Sequence, residues 1–236
     1  MTSAAKGDLP QVALPNLPSY PVLRSQKALV TGAGSGIGRA VALALGRAGA
    51  AVAVNYRVKE DEARAIVDEI EAGGGAAFAV QGDVSREADV QRMFAQAVER
   101  FGRLDILVNN AGLQRDVPFE AMTLEQWQKV IDVNLTGQFL CAREAVREFR
   151  RHGVVEGVSV AAGKIVCISS VHDVIPWAGR VNYAASKGGV MLMMKSIAQE
   201  VAPHRIRINS VSRARSARRS TARPGRPRPS TASSWS

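Results

Sequence analysis

From residue 26 onward, short apolar runs alternate with segments of helical spacing. KALVTG (27–32) is a continuous apolar run stopped by glycine, as expected of a strand buried on both faces. IGRAVALALGRAGA (37–50) has helical spacing, and AVAVNY (51–56) is a second buried strand. KEDEARAIVDEIEAGG reads as an amphipathic helix closed by glycine, AAFAVQGDV as a third strand, READVQRMFAQAVERFG as a helix and LDILVNNAG (104–112) as a fourth strand. Two helical stretches are expected over roughly 124–152, a fifth strand at KIVCIS (164–169), a helix over 182–202 and a sixth strand at RIRINSV (205–211). This alternation predicts right-handed βαβ crossovers and a Rossmann-like, doubly wound parallel sheet in three α/β/α layers. No internal repeat competes with that reading.

The flanks differ in texture. Residues 1–25 hold four prolines and little periodicity, predicting an N-terminal extension that is flexible or draped over the body. The domain is expected over 26–212, and 213–236 is a basic tail. Composition fits one domain, since 46% of the 236 residues are hydrophobic. The net charge of +10 belongs mostly to the tail, which holds seven arginines and no acid and leaves the rest at +3. A polyanion partner is therefore a rival reading only for the tail, where no aromatic interleaves the arginines and no specific nucleic-acid module is visible. Cys141 and Cys167 lie in apolar segments without metal-type spacing, as two buried free thiols would. No basic flank precedes an apolar N-terminal core, and no apolar run could span a bilayer, so a cytoplasmic location is expected.

TGAGSGIG (31–38) stands between the first strand and the first helix. Gly32 suits a tight turn, Gly36 a close approach of backbone to a pyrophosphate, and Gly38 close helix–strand packing. A glycine-rich turn alone is weak, and its place in a βαβ unit gives it weight. The second strand ends in Asn55-Tyr56-Arg57, where no carboxylate repels a 2′-phosphate and Arg57, helped by Arg39, can pair with one; a solvated Arg57 is the plainer reading. This predicts NADP, with NAD tolerated. Asp83 can accept from an adenine amino group or stand near a helix cap.

NYAASKGG (182–189) puts Tyr183 and Lys187 at i and i+4 on one helical face. A phenol is a poor base at neutral pH, and an ammonium one turn away favours its phenolate. Such a pair is more often an ordinary exposed face. Here Ser170 lies thirteen residues upstream, expected just beyond the fifth strand at the carboxyl edge of the sheet. Asn134, polar where the helical pattern expects burial, can anchor a water or satisfy a local carbonyl.

Taken in order, TGAGSGIG, GDV (82–84), NNAG (109–112), Asn134, Ser170 and YAASK (183–187) resemble the short-chain dehydrogenase/reductase family over residues 26–212. The resemblance implies hydride transfer between a nicotinamide carbon and an alcohol or carbonyl carbon. It implies Tyr183 as general acid/base, Lys187 as its tuner and ribose ligand, Ser170 as stabiliser of the substrate oxygen and Asn134 as water anchor. The dinucleotide is expected against Gly32, Ser35, Gly36, Ile37, Gly38, Asn55, Arg57, Asp83, Val84, Asn110, Ala111, Gly112, Tyr183 and Lys187. SVHDVIPW after Ser170, with NYR and KEDEA after the second strand, is most similar to bacterial glucose 1-dehydrogenases, so β-D-glucose oxidised to the gluconolactone is the leading expectation. The segment holding His172 and Trp177 is either a loop with an apolar anchor or a cover over the sugar. A ketoacyl-thioester reductase of the same family and a catalytically dead dinucleotide-binding module are the rivals. The likeness also implies a tetramer built through the helices at 124–152 and 182–202.

In that family the sixth strand runs into a Pro-Gly turn, a segment that contacts nicotinamide, a substrate-covering helix pair and a seventh strand. Residues from Arg213 depart from this. Back-translated into GC-rich codons with third bases chosen to fit, and given one restored base, the tail reads PGAIRTPIN. The expectation is an out-of-frame tail, and a chain of low solubility and impaired turnover as written.

Overall fold

The computed structural model describes residues 21–213. Its sheet follows from the apolar runs: β1 (Lys27–Val30), β2 (Ala51–Tyr56), β3 (Ala77–Gln81), β4 (Ile106–Asn109), β5 (Gly163–Ser170) and β6 (Ile206–Arg213). All pair in parallel in the order β3-β2-β1-β4-β5-β6. Order reverses between β1 and β4, which opens a crevice at the carboxyl ends of the strands there.

Helices cover both faces. Leu43 of α1 (Gly36–Arg47) and Ile66 and Ile70 of α2 (Glu60–Ala72) pack with Val52 and Val54 on one side. On the other, Met93 and Phe94 of α3 (Glu87–Phe101), Phe149 of α5 (Gly137–His152) and Val190 and Met194 of α6 (Val181–Val201) pack with Leu29, Leu107 and Ile165. Local chemistry sets the helix ends. Glu60, Asp61 and Glu62 face the positive end of α2, and Gly102 (φ 79°) closes α3 in the left-handed region. Thr123 and Gln126 form a reciprocal capping box at the start of α4 (Leu124–Ile131).

Several boundaries differ from the sequence reading. β4 stops at Asn109, so Asn110, Ala111 and Gly112 form the turn beyond it and are free to face the crevice. Ser170 is the last residue of β5 rather than beyond it. The helical stretch after 124 is α4, a π-helical segment (Asp132–Thr136) and α5 in continuous succession. Residues 21–25, assigned above to the extension, form a turn docked on the body, where the Leu23 N–H donates to the Ala48 carbonyl at 2.9 Å. β6 continues through Arg213, pairing Ser170 with Arg213, because in-register ladder bonds to β5 outweigh the polar composition there. Residues 1–20 and 214–236, which hold most of the expected extension and tail, lie outside the described residues. Among the described residues no helix is long and apolar enough to cross a membrane.

Candidate active site

The glycine turn is assembled by contacts distant in sequence. Thr31 Oγ accepts from the N–H groups of Asn110 and Ala111, both at 3.0 Å, and Asn110 Nδ2 donates to the carbonyls of Thr31 and Gly32 at 2.9 and 3.0 Å. These bonds lock the end of β1 to the turn after β4. A Cβ on Gly32 would stand 2.9 Å from the Ala111 Cα, and one on Gly38 would lie 2.5 Å from Asn110 Nδ2 and closer still to the Gly32 carbonyl. Gly36 is different: it takes φ 57° and faces open space. The first turn of α1 carries no acid and Ser35 makes no side-chain cap bond, so its N–H groups and positive dipole end point uncompensated into the crevice.

That crevice is a cleft of about 550 Å³. The turn supplies Gly32, Ser35 and Ile37; the ends of β2 and β3 supply Asn55, Arg57, Asp83 and Val84; the turn after β4 supplies Asn110, Ala111 and Gly112; and α6 supplies Tyr183 and Lys187. A glycine cradle, unpaired helix N–H groups and a cation at the far rim fit a dinucleotide.

Three of the expected site residues have partners within the chain. Asn55 is buried, its Oδ1 accepting from the Gly32 N–H at 3.0 Å and its Nδ2 donating to the carbonyls of Val80 and Gly82 at 3.2 and 3.1 Å. Its side chain braces the turn from beneath, and the residue lines the cleft. Arg39 pairs with Glu69 at 2.6 Å and is not among the cleft residues, so Arg57 lines the cleft rim without it. The Asn134 side chain, inside the π-helical segment and fully buried, accepts from the Leu113 N–H at 2.8 Å and donates to the Leu113 carbonyl at 2.9 Å and Ser186 Oγ at 3.1 Å. These bonds brace the cleft wall through both Nδ2 protons and one lone pair of Oδ1, and the second lone pair of Oδ1 is still able to accept from a water.

Asp83 Oδ1 accepts from the Ser85 N–H and hydroxyl at 3.0 and 2.6 Å, while Oδ2 lies 3.7 Å from Arg57. Burial opposes its ionisation, but the Ser85 bonds, Lys129 and Arg57 prevail and hold the carboxyl below the usual carboxylate range. The Lys187 ammonium, only 4% exposed, donates to the Ile168 carbonyl at 2.8 Å and stands 5.6 Å from the centre of the Tyr183 ring. Burial pushes its amine down to about 8, against the pull of Cys167 and Asp173.

Tyr183 also lines a second hollow of about 260 Å³, shared with Gln114, Ser170, His172, Trp177 and Arg180. Ser170 is buried and its Oγ accepts from the His172 N–H at 3.3 Å. The His172 ring packs edge-on against Trp177 and Tyr183, with centroids at 4.7 and 6.3 Å. Arg180 stacks 4.1 Å over Trp177 and pairs with Asp116 at 2.8 Å, and Gln114 donates to the same carboxylate at 2.6 Å. The sequence reading missed Thr31, Gln114, Asp116 and Arg180. Thr31 was open to detection as the residue between the first strand and the glycine turn; Gln114 and Asp116 are two residues apart, and Arg180 joins them only through chain folding, sixty-four residues away.

Residues 26–215 match the short chain dehydrogenase family. The chain is 42% identical over 193 residues to a 3beta-hydroxysteroid dehydrogenase 1 of Eggerthella lenta, covering 82% of this chain and 71% of the relative. It is likewise 42% identical over 190 residues to a 3-oxoacyl-acyl-carrier-protein reductase of Synechocystis, covering 80% and 74%. The crystal structure of a dehydrogenase/reductase from Sinorhizobium meliloti superposes with a TM-score of 0.75 at 34% identity, covering 82% of this chain and 73% of that one.

Proposed function

The chain belongs to the short-chain dehydrogenase family, and from that premise we propose that its site oxidises a hydroxyl of a small polyhydroxylated ring, β-D-glucose to the gluconolactone first among them, with NADP favoured and NAD tolerated. Membership makes the protein an NAD(P)-dependent oxidoreductase acting on CH–OH groups. The nicotinamide, when bound, takes up or returns the hydride. The remaining tasks fall to this chain. Tyr183, open to both hollows, receives the hydroxyl proton as the carbon loses its hydride and returns one in the reverse direction. Lys187 places positive charge beside that phenol. Ser170 holds the substrate oxygen on the opposite side.

The observation that carries the sugar reading is the wall of the second hollow. Gln114 and Arg180, both fixed by Asp116, offer donors to ring hydroxyls, and the Trp177 and His172 rings offer apolar faces to ring carbons. Arg57 at the cleft rim, with no acid at the end of β2, supports NADP.

One observation favours a second reading. A shallow apolar hollow lined by Pro118, Phe119, Trp177, Gly179 and Val181 adjoins the first, with Val174 and Ile175 exposed nearby. An acyl thioester or a steroid, the substrates in the names of the two relatives, would use it. Purified protein assayed with glucose and NADP, an acetoacetyl thioester and NADPH, and a 3β-hydroxysteroid with NADP separates the three. Turnover confined to the thioester or the steroid overturns the sugar reading.

Assembly through α4, α5 and α6 as a tetramer in the cytoplasm is part of the same proposal. Its support is the exposed apolar side chains those helices present: Leu124, Phe139 and Leu192 at 78%, 42% and 68% exposure. Light scattering on the eluted protein tests it, and a monomeric mass rejects it.

A further inference from the structure

Asp173 ends the single 3-10 turn (Val171–Asp173) that follows Ser170. Its Oδ2 accepts from two hydroxyls, Ser169 Oγ at 2.9 Å and Ser212 Oγ at 2.6 Å. Those serines are register partners on β5 and β6, so one carboxylate oxygen clasps two strands and the turn. The same turn supplies the His172 N–H that donates to Ser170 Oγ, and α6 packs on it closely enough that a Cβ on Gly188 would lie 3.8 Å from the Asp173 carbonyl.

Nothing in the mechanism above uses this carboxylate. We propose that Asp173 is a positioning residue for the reaction: it fixes the turn that follows Ser170 against β6 and holds a negative charge toward the buried ammonium of Lys187. The role rests on the family reading of Lys187, and it concerns a different residue from any that selects the substrate.

The charges that face Lys187 are few. From β5 there is Cys167, whose thiol burial pushes up to about 11, so it is uncharged where Lys187 titrates. From α4 there is Lys129 across the cleft, and on its own helix Tyr183. Asp132 of the π-helical segment accepts from Gln128, and His172 of the turn faces Tyr183 and Trp177. On α5, Arg143, Arg147 and Arg151 are occupied by Glu87, Glu144 and Glu148, and Cys141 is held neutral by burial. β6 brings Arg207, in register with Lys164 at the other end of the strand. Asp173 sits on the Ser169 hydroxyl, next along β5 to the Ile168 carbonyl that holds the Lys187 ammonium, which brings the carboxylate toward it, and among the described residues Lys187 makes no ion pair of its own.

Competitive amine labelling of the ligand-free chain, read by mass spectrometry across pH, follows Lys187 without substrate or cofactor. Asp173→Asn keeps an oxygen able to accept both serine hydroxyls and removes the charge; Asp173→Glu keeps the charge. The Lys187 midpoint should fall by about one pH unit in the Asn variant and stay at the parent value in the Glu variant. The alkaline limb of the turnover profile should move the same way. Asp173→Ala should show the lowered midpoint and, in addition, a lower melting temperature, because the clasp is gone. A midpoint unmoved in the Asn variant, or lowered as far in the Glu variant, overturns the proposal and leaves the clasp a purely structural bond. No glucose turnover in the parent, with the midpoint behaving as stated, would instead count against the substrate reading alone.

Discussion

The Lys187 ammonium stands 5.6 Å from the centre of the Tyr183 ring, one helical turn away and on the same face of α6. The Ile168 carbonyl holds it there from β5, so the pair is fixed by the sheet as well as by the helix. Tyr183→Phe keeps the ring and its packing against His172 and removes only the ionisable oxygen. Turnover should fall roughly a hundredfold to ten-thousandfold, with dinucleotide affinity near that of the parent. Steady-state rates and a fluorescence titration with NADPH check both halves. Undiminished turnover would remove Tyr183 from the chemistry.

Gly36 and Gly38 stand two residues apart and should fail in different ways. A Cβ on Gly38 meets the Gly32 carbonyl and Asn110 Nδ2 inside contact distance. Gly38→Ala should therefore cost about 1–3 kcal/mol of stability in the ligand-free chain, and dinucleotide binding with it. At Gly36 nothing lies within 4 Å, and the penalty is the positive φ alone, about 1–2 kcal/mol. On the proposed dinucleotide site its Cβ would stand toward the pyrophosphate, so binding should fall further than stability. Urea melts and NADPH titrations on both variants make the comparison; equal losses in both assays for both variants would contradict it.

Much of the fold was legible because it rests on local periodicity. The continuous apolar runs at 27–30 and 51–56 became buried parallel strands, and glycine closed α3 where the pattern stopped. Asn134 announced itself as a polar residue on an apolar stripe, yet its partner, Leu113, lies twenty-one residues away across the cleft. Asn55 is similar: it lines the cleft at the end of β2 as expected, and its amide also serves the Gly32 N–H twenty-three residues back, a contact no local pattern reports. Arg39 was placed near the cofactor by its closeness to the glycine turn, and helical geometry turns it toward Glu69 of α2. Periodicity reports which face a residue takes; it is silent on which distant group waits there.

Arg57 is exposed at the cleft rim, and Asp83, held ionised by Ser85, lies 3.7 Å away. A 2′-phosphate would have to draw the guanidinium from that weak pairing, which costs little because the guanidinium is open to solvent and the separation is long. Arg57→Ala should raise the KM for NADP roughly tenfold to hundredfold, the worth of one charge-assisted contact. The KM for NAD should stay near the parent value. Equal rises for both cofactors would assign Arg57 to the fold of the rim instead of to phosphate selection.

Lys187 and the two buried cysteines act on alkaline stability with opposite signs. The Lys187 amine, ordinarily at 10.5, sits at about 8 in the fold because burial disfavours its charge. Below pH 8 both folded and unfolded chains hold the proton, and folding bears the full cost of burying it. Between 8 and 10.5 only the unfolded chain stays protonated, so that cost is relieved as pH rises. Cys141 and Cys167 are pushed up by burial to about 12 and about 11 from 9. Their thiols contribute stability that is complete below pH 9 and declines above it, since the unfolded chain ionises first. Lys187→Met removes the first effect and leaves the second. At pH 7 it should be more stable than the parent by up to the order of 2–3 kcal/mol, less whatever the bond to the Ile168 carbonyl contributes. That advantage should shrink steadily to pH 10, while a Cys141→Ala, Cys167→Ala double variant loses the parent's decline above pH 9. Urea melts at pH 7, 8.5 and 10 on the three chains test both statements. An advantage of Lys187→Met that stays constant across this range would mean that the amine does not titrate there, and that the fold tolerates its charge without cost.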